Sequence, residues 1–489
     1  MWKPIVKQQK EMATAGSKPA ASVRWVVAGL SLSMLMSSLD TSIANAGLPT
    51  LAQVFGASFQ AVQWIVLAYL LAITTLIVSA GRLGDLLGRR RLLLGGICIF
   101  TTASLLCGIA PTLWLLIAAR AAQGIGAAIM MSLTVAFVGE TVPKKNIGSA
   151  MGLLATMSAI GTTLGPALGG LLIAGVGWRA IFLVTVPFGL LNLYLAYRHL
   201  PVDRKAPLME RAGFDYVGTL LLAVTLSAYV LAVTIGKGDF GPLNAALLST
   251  AVAGGGLFLF AETKVAFPLI RLSMFRDAVL SASLATGMLV STVMMATLVV
   301  GPFYLSRALG LEAAQVGLAL SVGPLVAVLA GVPAGRMVDR IGAHRMVLIG
   351  LAGIAAGSLI LTLMPAKFGV AGYIAPIVVI TASYALFQAA NNTAVMTDIR
   401  PDQRGVISGL LSLSRNLGLI TGASVMGAVF ALASATVEIS NAHPVAVVTG
   451  MRTTFAVALA LMVCALAIAI GASLRLSRNR MRSSPAGRP

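Results

Sequence analysis

The chain has 489 residues, 58% of them hydrophobic and only 10% charged, with a formal net charge of +20. A soluble surface of this size needs roughly a quarter of its residues charged, which argues against a water-soluble fold. Apolar runs of about twenty residues, each able to cross ~30 Å of hydrocarbon, recur along the chain and point to an all-α polytopic membrane protein.

Residues 1–24 read as a cytoplasmic N-terminal tail, disordered over 1–22. Spans near 25–46, 62–80, 92–110, 113–138, 147–174 and 179–197 make a first six-helix bundle over 25–200. Ala44-Asn45-Ala46 looks like a signal-peptidase site. The apolar stretch before it is too long for a signal peptide and is interrupted by an acid, so it reads as an uncleaved first span. A linker and an inserted two-helix hairpin, with spans near 216–235 and 243–261, occupy 201–277. Spans near 278–301, 313–334, 346–364, 371–394, 406–434 and 453–474 make a second bundle over 278–474, and 475–489 is a basic tail, disordered from 477.

The two bundles repeat one another. Gly81-Arg-Leu-Gly-Asp85-Leu-Leu-Gly88-Arg89-Arg90-Arg91 returns as Gly335-Arg-Met-Val-Asp339-Arg-Ile-Gly342-Ala-His-Arg345. Glu140-Thr-Val-Pro143 is echoed by Asp398-Ile-Arg-Pro401, Gly161 by Gly418 and Gly165 by Gly422, at offsets between 254 and 258. Duplicated helical bundles are the usual architecture of secondary transporters.

With the N-terminus inside, 28 of the 35 lysines and arginines fall on the inner side. Only Arg179, Lys237, Arg307, Lys367 and Arg452 lie outside, while Arg120 and Arg415 lie within spans. This asymmetry is the positive-inside signature and predicts both termini in the cytoplasm. The positive charge then reflects topology and attraction to anionic lipids, not nucleic acid. Cys98, Cys107 and Cys464 lie in spans without ligand spacing and the three histidines fall in loops, so neither a metal nor a catalytic centre is expected. No phosphate-binding loop occurs, so energy should come from an ion or substrate gradient.

Asp40 lies in the first span about 10 Å from its outer end, counting ~1.5 Å per residue. A carboxylate at that depth is costly unless it faces a cavity, pairs or binds a proton, which makes it the first candidate for proton coupling. Arg120, in the fourth span at similar depth, is its natural partner; a static ion pair is the plainer reading. Asp85, with Gly81, Gly88, Arg89 and Arg90, could serve topology alone. It could also meet a helix N-terminus of the other bundle and latch the inner side shut, as could Asp339 and Arg345 in the repeat. Gly161, Gly165, Gly169 and Gly170, with Pro166 among them, let a neighbouring helix approach closely. Arg415 stands where the repeat has Ser158, and its partner is open: helix ends or an anionic group. Trp64, Tyr69, Met130, Met131, Met294, Met295, Tyr304, Phe387, Gln388, Asn391 and Asn392 are candidates for a substrate cavity. For any one of them, packing against lipid or core is the simpler fate.

These motifs resemble the major facilitator superfamily, specifically its fourteen-helix drug:proton antiporter branch. Leu39-Asp40-Thr-Ser-Ile-Ala-Asn45-Ala-Gly-Leu-Pro49 is similar to that branch's first-helix motif, and the 81–91 loop to the superfamily's loop motif. Leu116-Ile-Ala-Ala-Arg120-Ala-Ala-Gln123-Gly-Ile-Gly126 resembles the fourth-helix motif, and residues 161–170 resemble the antiporter motif of the fifth helix. Asn45 and Gln123, inside these motifs, join Arg415 and the cavity candidates. Ser42, Leu86 and Ser306 depart from the usual Thr, basic residue and Gln.

The resemblance implies alternating access, with Asp40 and Arg120 coupling export of amphipathic or cationic drugs to protons across the inner membrane. It implies no cofactor beyond the proton, and a functional monomer. The outer loops are too short to form a periplasmic adaptor, so any such adaptor is a separate protein. A dedicated exporter of one metabolite, siderophore or lipid would use the same fold. A non-transporting sensor or assembly partner stands further off, and a membrane enzyme further still.

Overall fold

The computed structural model describes residues 20–57, 59–202, 215–234, 241–265, 268–311, 313–397, 399–400, 403–434 and 444–483. Most of the expected linker, the start of the N-terminal tail, Asp398 and Pro401 lie outside these, as do the side chains of Asn45 and Pro166.

Fourteen helices are long and apolar enough to span a membrane among the described residues. The first half comprises α1 (Ala20–Val54), α2 (Phe59–Leu87), α3 (Arg89–Ile109), α4 (Leu113–Thr141), α5 (Ile147–Gly175) and α6 (Ala180–Leu183 and Thr185–His199). The hairpin is α7 (Tyr216–Thr234) and α8 (Pro242–Lys264). The second half comprises α9 (Ala278–Phe303), α10 (Ala313–Ile341), α11 (Ala343–Leu363), α12 (Gly369–Met396), α13 (Arg404–Ala433) and α14 (Pro444–Ser483).

Several boundaries differ from the apolar runs, each for a local reason. Helix α1 is 35 residues long and starts and ends outside the 25–46 span: it runs on past Gly47 and Pro49 and ends at Val54, short of Gly56, which takes φ 55°. Helix α14 runs to Ser483, through residues expected to be a disordered tail. That stretch is rich in Arg and has neither Gly nor Pro from 472 to 483, so local propensity carries it on. Helix α6 breaks at Val184: Pro187 has no N–H to return to Leu183. Pro302 precedes a one-turn π-helix, Tyr304–Ala308, that lengthens α9 beyond its expected end.

The repeat seen in the sequence is a repeat in space. Gly88 and Gly342, 254 positions apart, both take φ 100° as they lead into α3 and α11, a conformation side chains other than glycine rarely adopt. Helix α5 packs on α10 of the other half, and its counterpart α13 packs on α2, the counterpart of α10. The two halves therefore meet along two equivalent seams. The hairpin breaks the symmetry: α7 lies over the α2–α13 seam, with the Tyr229 hydroxyl bonded to Thr421 and Ser424 donating to the Val233 carbonyl.

Candidate functional site

Within the first half, glycines set how closely α1 and α5 approach. A Cβ at Gly161 would stand 2.6 Å from the Leu35 carbonyl oxygen, and one at Gly165 would strike Ser42. The two helices are further tied by Ser38 to Ser158 at 2.7 Å and by Ser42 donating to the Thr162 carbonyl at 2.7 Å. Gly418 and Gly422 do the same for α13 against α9, at Met288 and Thr292. Gly170 is exposed with nothing against it, and Gly169 is buried. With Ser38 and Ser42 turned to α5, Asp40 between them turns the other way, toward α4.

There Asp40 is fully buried and ion-paired with Arg120, which is itself 0% exposed. Gln123 closes the set. Arg120 Nη1 donates to Gln123 Oε1 at 2.7 Å, and Gln123 Nε2 donates to Asp40 Oδ1 at 2.8 Å and lies 2.7 Å from Ser104 Oγ of α3. Arg120 Nε donates to the Ile65 carbonyl at 3.1 Å, and its guanidinium lies 4.2 Å from the centre of the Tyr69 ring. The Tyr69 hydroxyl in turn donates to Ser37 of α1 at 3.1 Å. Four helices thus converge on one carboxylate. Removing two charges from water costs several kcal/mol per ion, and the pair is tolerable only because its lone pairs and N–H groups are so fully used. Arg120 Nη2 alone lacks a partner.

The arrangement holds a proton-accepting carboxylate against a fixed cation. Protonating Asp40 would remove the charge that holds Arg120, leaving the guanidinium with Gln123, Ile65 and Tyr69.

At the arginine-loop end the two halves are joined twice. Asp85 accepts from the backbone N–H groups of Gly405 (3.2 Å) and Val406 (3.4 Å), at the start of α13. Asp339 accepts from those of Gly148 (2.8 Å) and Ser149 (2.9 Å), at the start of α5, and from the Ser149 hydroxyl. A carboxylate is favoured at a helix N-terminus because the unpaired N–H groups and the dipole both point at it. Glycines admit the contact: Gly81 meets the Gly405 backbone, and Gly152 meets Gly331 and Gly335. Arg89 braces Asp85 at 2.8 Å and reaches Glu140 at 2.8 Å. Arg90 turns away to the Tyr197 carbonyl, 2.6 Å, and Arg345 is exposed.

The cavity candidates scatter. Met130, Tyr304 and Phe387 are within 1% of full burial and belong to the packed interior. Asn391 is buried and donates to the Ser283 carbonyl at 3.2 Å. Trp64, Gln388 and Arg415 are half-buried. Arg415 has no ion pair among the described residues. Tyr69 and Gln123 are drawn into the Asp40 cluster instead of lining open space. Gln123 could have been placed there from its spacing, since i and i+3 share a helix face with Arg120. Ser104 carried no such signal.

Residues 30–423 match the Major Facilitator Superfamily. The multidrug resistance protein Stp of Mycobacterium tuberculosis is 34% identical over 84% of this chain and 76% of its own length. The riboflavin transporter RibZ of Clostridioides difficile is 29% identical over 83% of this chain and 88% of its own. Among solved structures, the proton:xylose symporter XylE superposes with a TM-score of 0.65 at 15% identity, covering 92% of this chain and 95% of that one. These are transporters, not enzymes.

Proposed function

The chain belongs to the Major Facilitator Superfamily, and on that premise we propose that it exports amphipathic or cationic compounds in exchange for protons, by alternating access. The observation that carries this reading is the Asp40–Arg120–Gln123 cluster: a buried carboxylate, held by a single guanidinium and one amide, at the junction of α1, α3 and α4. Proton uptake by Asp40 loosens its hold on Arg120, and proton loss restores it. Asp85 and Asp339 act as the latches of the state described above, closed at the arginine-loop end, with Gly81, Gly88 and Arg89 shaping the first. The small-residue face of α5 sets the α1 contact through which a change at Asp40 is felt. The basic loops favour an inner-membrane orientation with both termini in the cytoplasm, against anionic lipid. The protein works as a monomer of two six-helix halves, 25–200 and 278–474, with 201–277 inserted between them.

The test is proton release from energised everted vesicles on addition of quaternary ammonium compounds or cationic dyes, for wild type and Asp40→Asn. A substrate-evoked signal that vanishes in the variant, with the protein still inserted, is the expected result. An unchanged signal in Asp40→Asn removes that residue from coupling.

A second reading, export of a dedicated metabolite, draws on Arg415. An arginine at membrane depth without an acidic partner among the described residues is suited to an anionic group on the cargo. Arg415→Gln should then abolish transport of anionic or zwitterionic compounds while sparing monovalent cations. Equal effects on both classes would remove this reading.

A further inference from the structure

The foot of the inserted hairpin holds two acids that the scheme above does not use. Asp215 stands just before α7, where its Oδ1 accepts the Gly218 N–H at 2.7 Å. Glu262 lies one turn from the end of α8, and its Oε2 accepts the Ile270 N–H at 3.2 Å. Asp215 is 5% exposed and Glu262 4%. Each therefore has one oxygen satisfied by backbone. The other two oxygens, Asp215 Oδ2 and Glu262 Oε1, are buried without a hydrogen-bond donor among the described residues.

Those two oxygens converge. Both oxygens stand over Gly218. A Cβ at Gly218 would stand 2.7 Å from Glu262 Oε1 and closer still to Asp215 Oδ2, so only glycine leaves room for the pair. Among the described residues no cation compensates it. Neither acid forms a salt bridge with a described residue. On α8, Lys264 lies 5.8 Å from the Phe260 ring centre. Arg271 and Arg276 of the connecting segment are exposed, and Asp277 caps α9. On α2, packed against α7, Asp85 is held by Arg89, and Arg82 is half-buried. No third His, Cys, Asp or Glu stands near enough for a metal among the described residues.

We propose that Asp215 and Glu262 share one proton, which makes them a second proton-binding site, separate from Asp40. Two buried carboxylates converging on one site without a cation do not readily both stay ionised. A single proton on one of them turns two unpaired acceptors into an O–H···O bond, a strong charge-assisted one. The bond fastens the start of α7 to the end of α8 and, through Ile270, to the buried segment that leads into the second half. This proton clasps the hairpin that covers the α2–α13 seam.

Infrared spectroscopy of the purified full-length protein at neutral pH tests this without reference to transport. Wild type should show a protonated carboxyl C=O stretch that is missing in Glu262→Gln and in Asp215→Asn. An amide at either position supplies a donor in place of the proton, so both variants should keep the wild-type unfolding temperature. Either variant alone reads the band if the other fails to insert. A band equal in wild type and variants overturns the proposal. So does loss of the wild-type band on adding millimolar Na⁺ or Mg²⁺, which would mark a cation site. Because Asp40 is present in every sample, failure of this proposal and failure of Asp40 coupling are read separately.

Discussion

Asp85 and Asp339 occupy equivalent places 254 positions apart, and each accepts two backbone N–H groups at the start of a helix in the opposite half. The two are not equal. Asp339 has shorter bonds and a third donor in the Ser149 hydroxyl, whereas Asp85 shares its Oδ1 with Arg89 and faces Val406. The arginine loop of the first half thus carries its own brace, and that of the second relies on the helix end it meets.

Neutralising these acids should loosen the arginine-loop end unequally. Asp339→Asn should deprotect the amides of Gly148 and Ser149 more than Asp85→Asn deprotects those of Gly405 and Val406. Each loses a charge–helix interaction of roughly 0.3–1 kcal/mol, and Asp339 loses charge-assisted bonds as well. Hydrogen exchange over the first turns of α5 and α13 measures this. Equal protection in wild type and both variants would show that the seams close without the acids.

Gln123 should matter nearly as much as the ion pair it bridges. Gln123→Leu leaves Asp40 Oδ1 without its donor, a loss of about 1–3 kcal/mol for a buried group left unpaired, while Ser104 Oγ keeps its bond to the Phe100 carbonyl. Asp40→Asn exposes Arg120 to a greater loss, about 3–5 kcal/mol, since a buried charge is then uncompensated. Thermal unfolding in detergent should rank wild type above Gln123→Leu, and that above Asp40→Asn. Asp40→Asn with Arg120→Gln should recover much of the stability and none of the proton release. A double variant no more stable than Asp40→Asn would mean that the pair is not the source of the cost.

The fold was largely legible because its signals are local or repeated: span length and the doubled Gly-Asp-Gly loop each need only a short window. Asp40 and Arg120 stood out because charge at membrane depth is rare. Tyr69, Met130 and Phe387, buried in this structure, could not be sorted in sequence because apolar and aromatic side chains look the same whether they face a cavity or a core. Ser104 and the Asp215–Glu262 pair were invisible for a different reason: their meaning depends on which helices adjoin, and that is settled by packing of the whole bundle. The helix ends at Val54 and Ser483 escaped notice because apolar length marks the bilayer, not the point where backbone propensity fails.

The α1–α5 crossing offers a sharper test of the glycine face than deleting the motif whole. A Cβ at Gly161 or Gly165 must displace α1 backbone or Ser42, whereas one at Gly170 meets nothing within 4 Å. Gly161→Ala and Gly165→Ala should each destabilise by about 1–3 kcal/mol, the usual cost of overpacking, and Gly170→Ala should be neutral. Unfolding temperatures of the three single variants decide it. A Gly170→Ala loss as large as the others would mean that helix flexibility, and not approach distance, is what these glycines supply.

The inequality of the two latches can be removed by one substitution. Val406 holds in the second half the place of Ser149 in the first, is 2% exposed, and offers Asp85 only its N–H. Val406→Thr keeps the branched shape and adds a hydroxyl where Ser149 has one. Buried without a partner, that hydroxyl would cost about 1–3 kcal/mol; bonded to Asp85 it should at least offset the cost. The variant should therefore unfold no lower than wild type, protect the Gly405 and Val406 amides further, and slow turnover by holding the arginine-loop end closed. In an Asp85→Asn background the carboxylate acceptor is gone, so the added protection should shrink. A variant that unfolds lower, with no added protection at α13, would show that the position-406 side chain does not reach Asp85 and that the two seams differ in more than one hydroxyl.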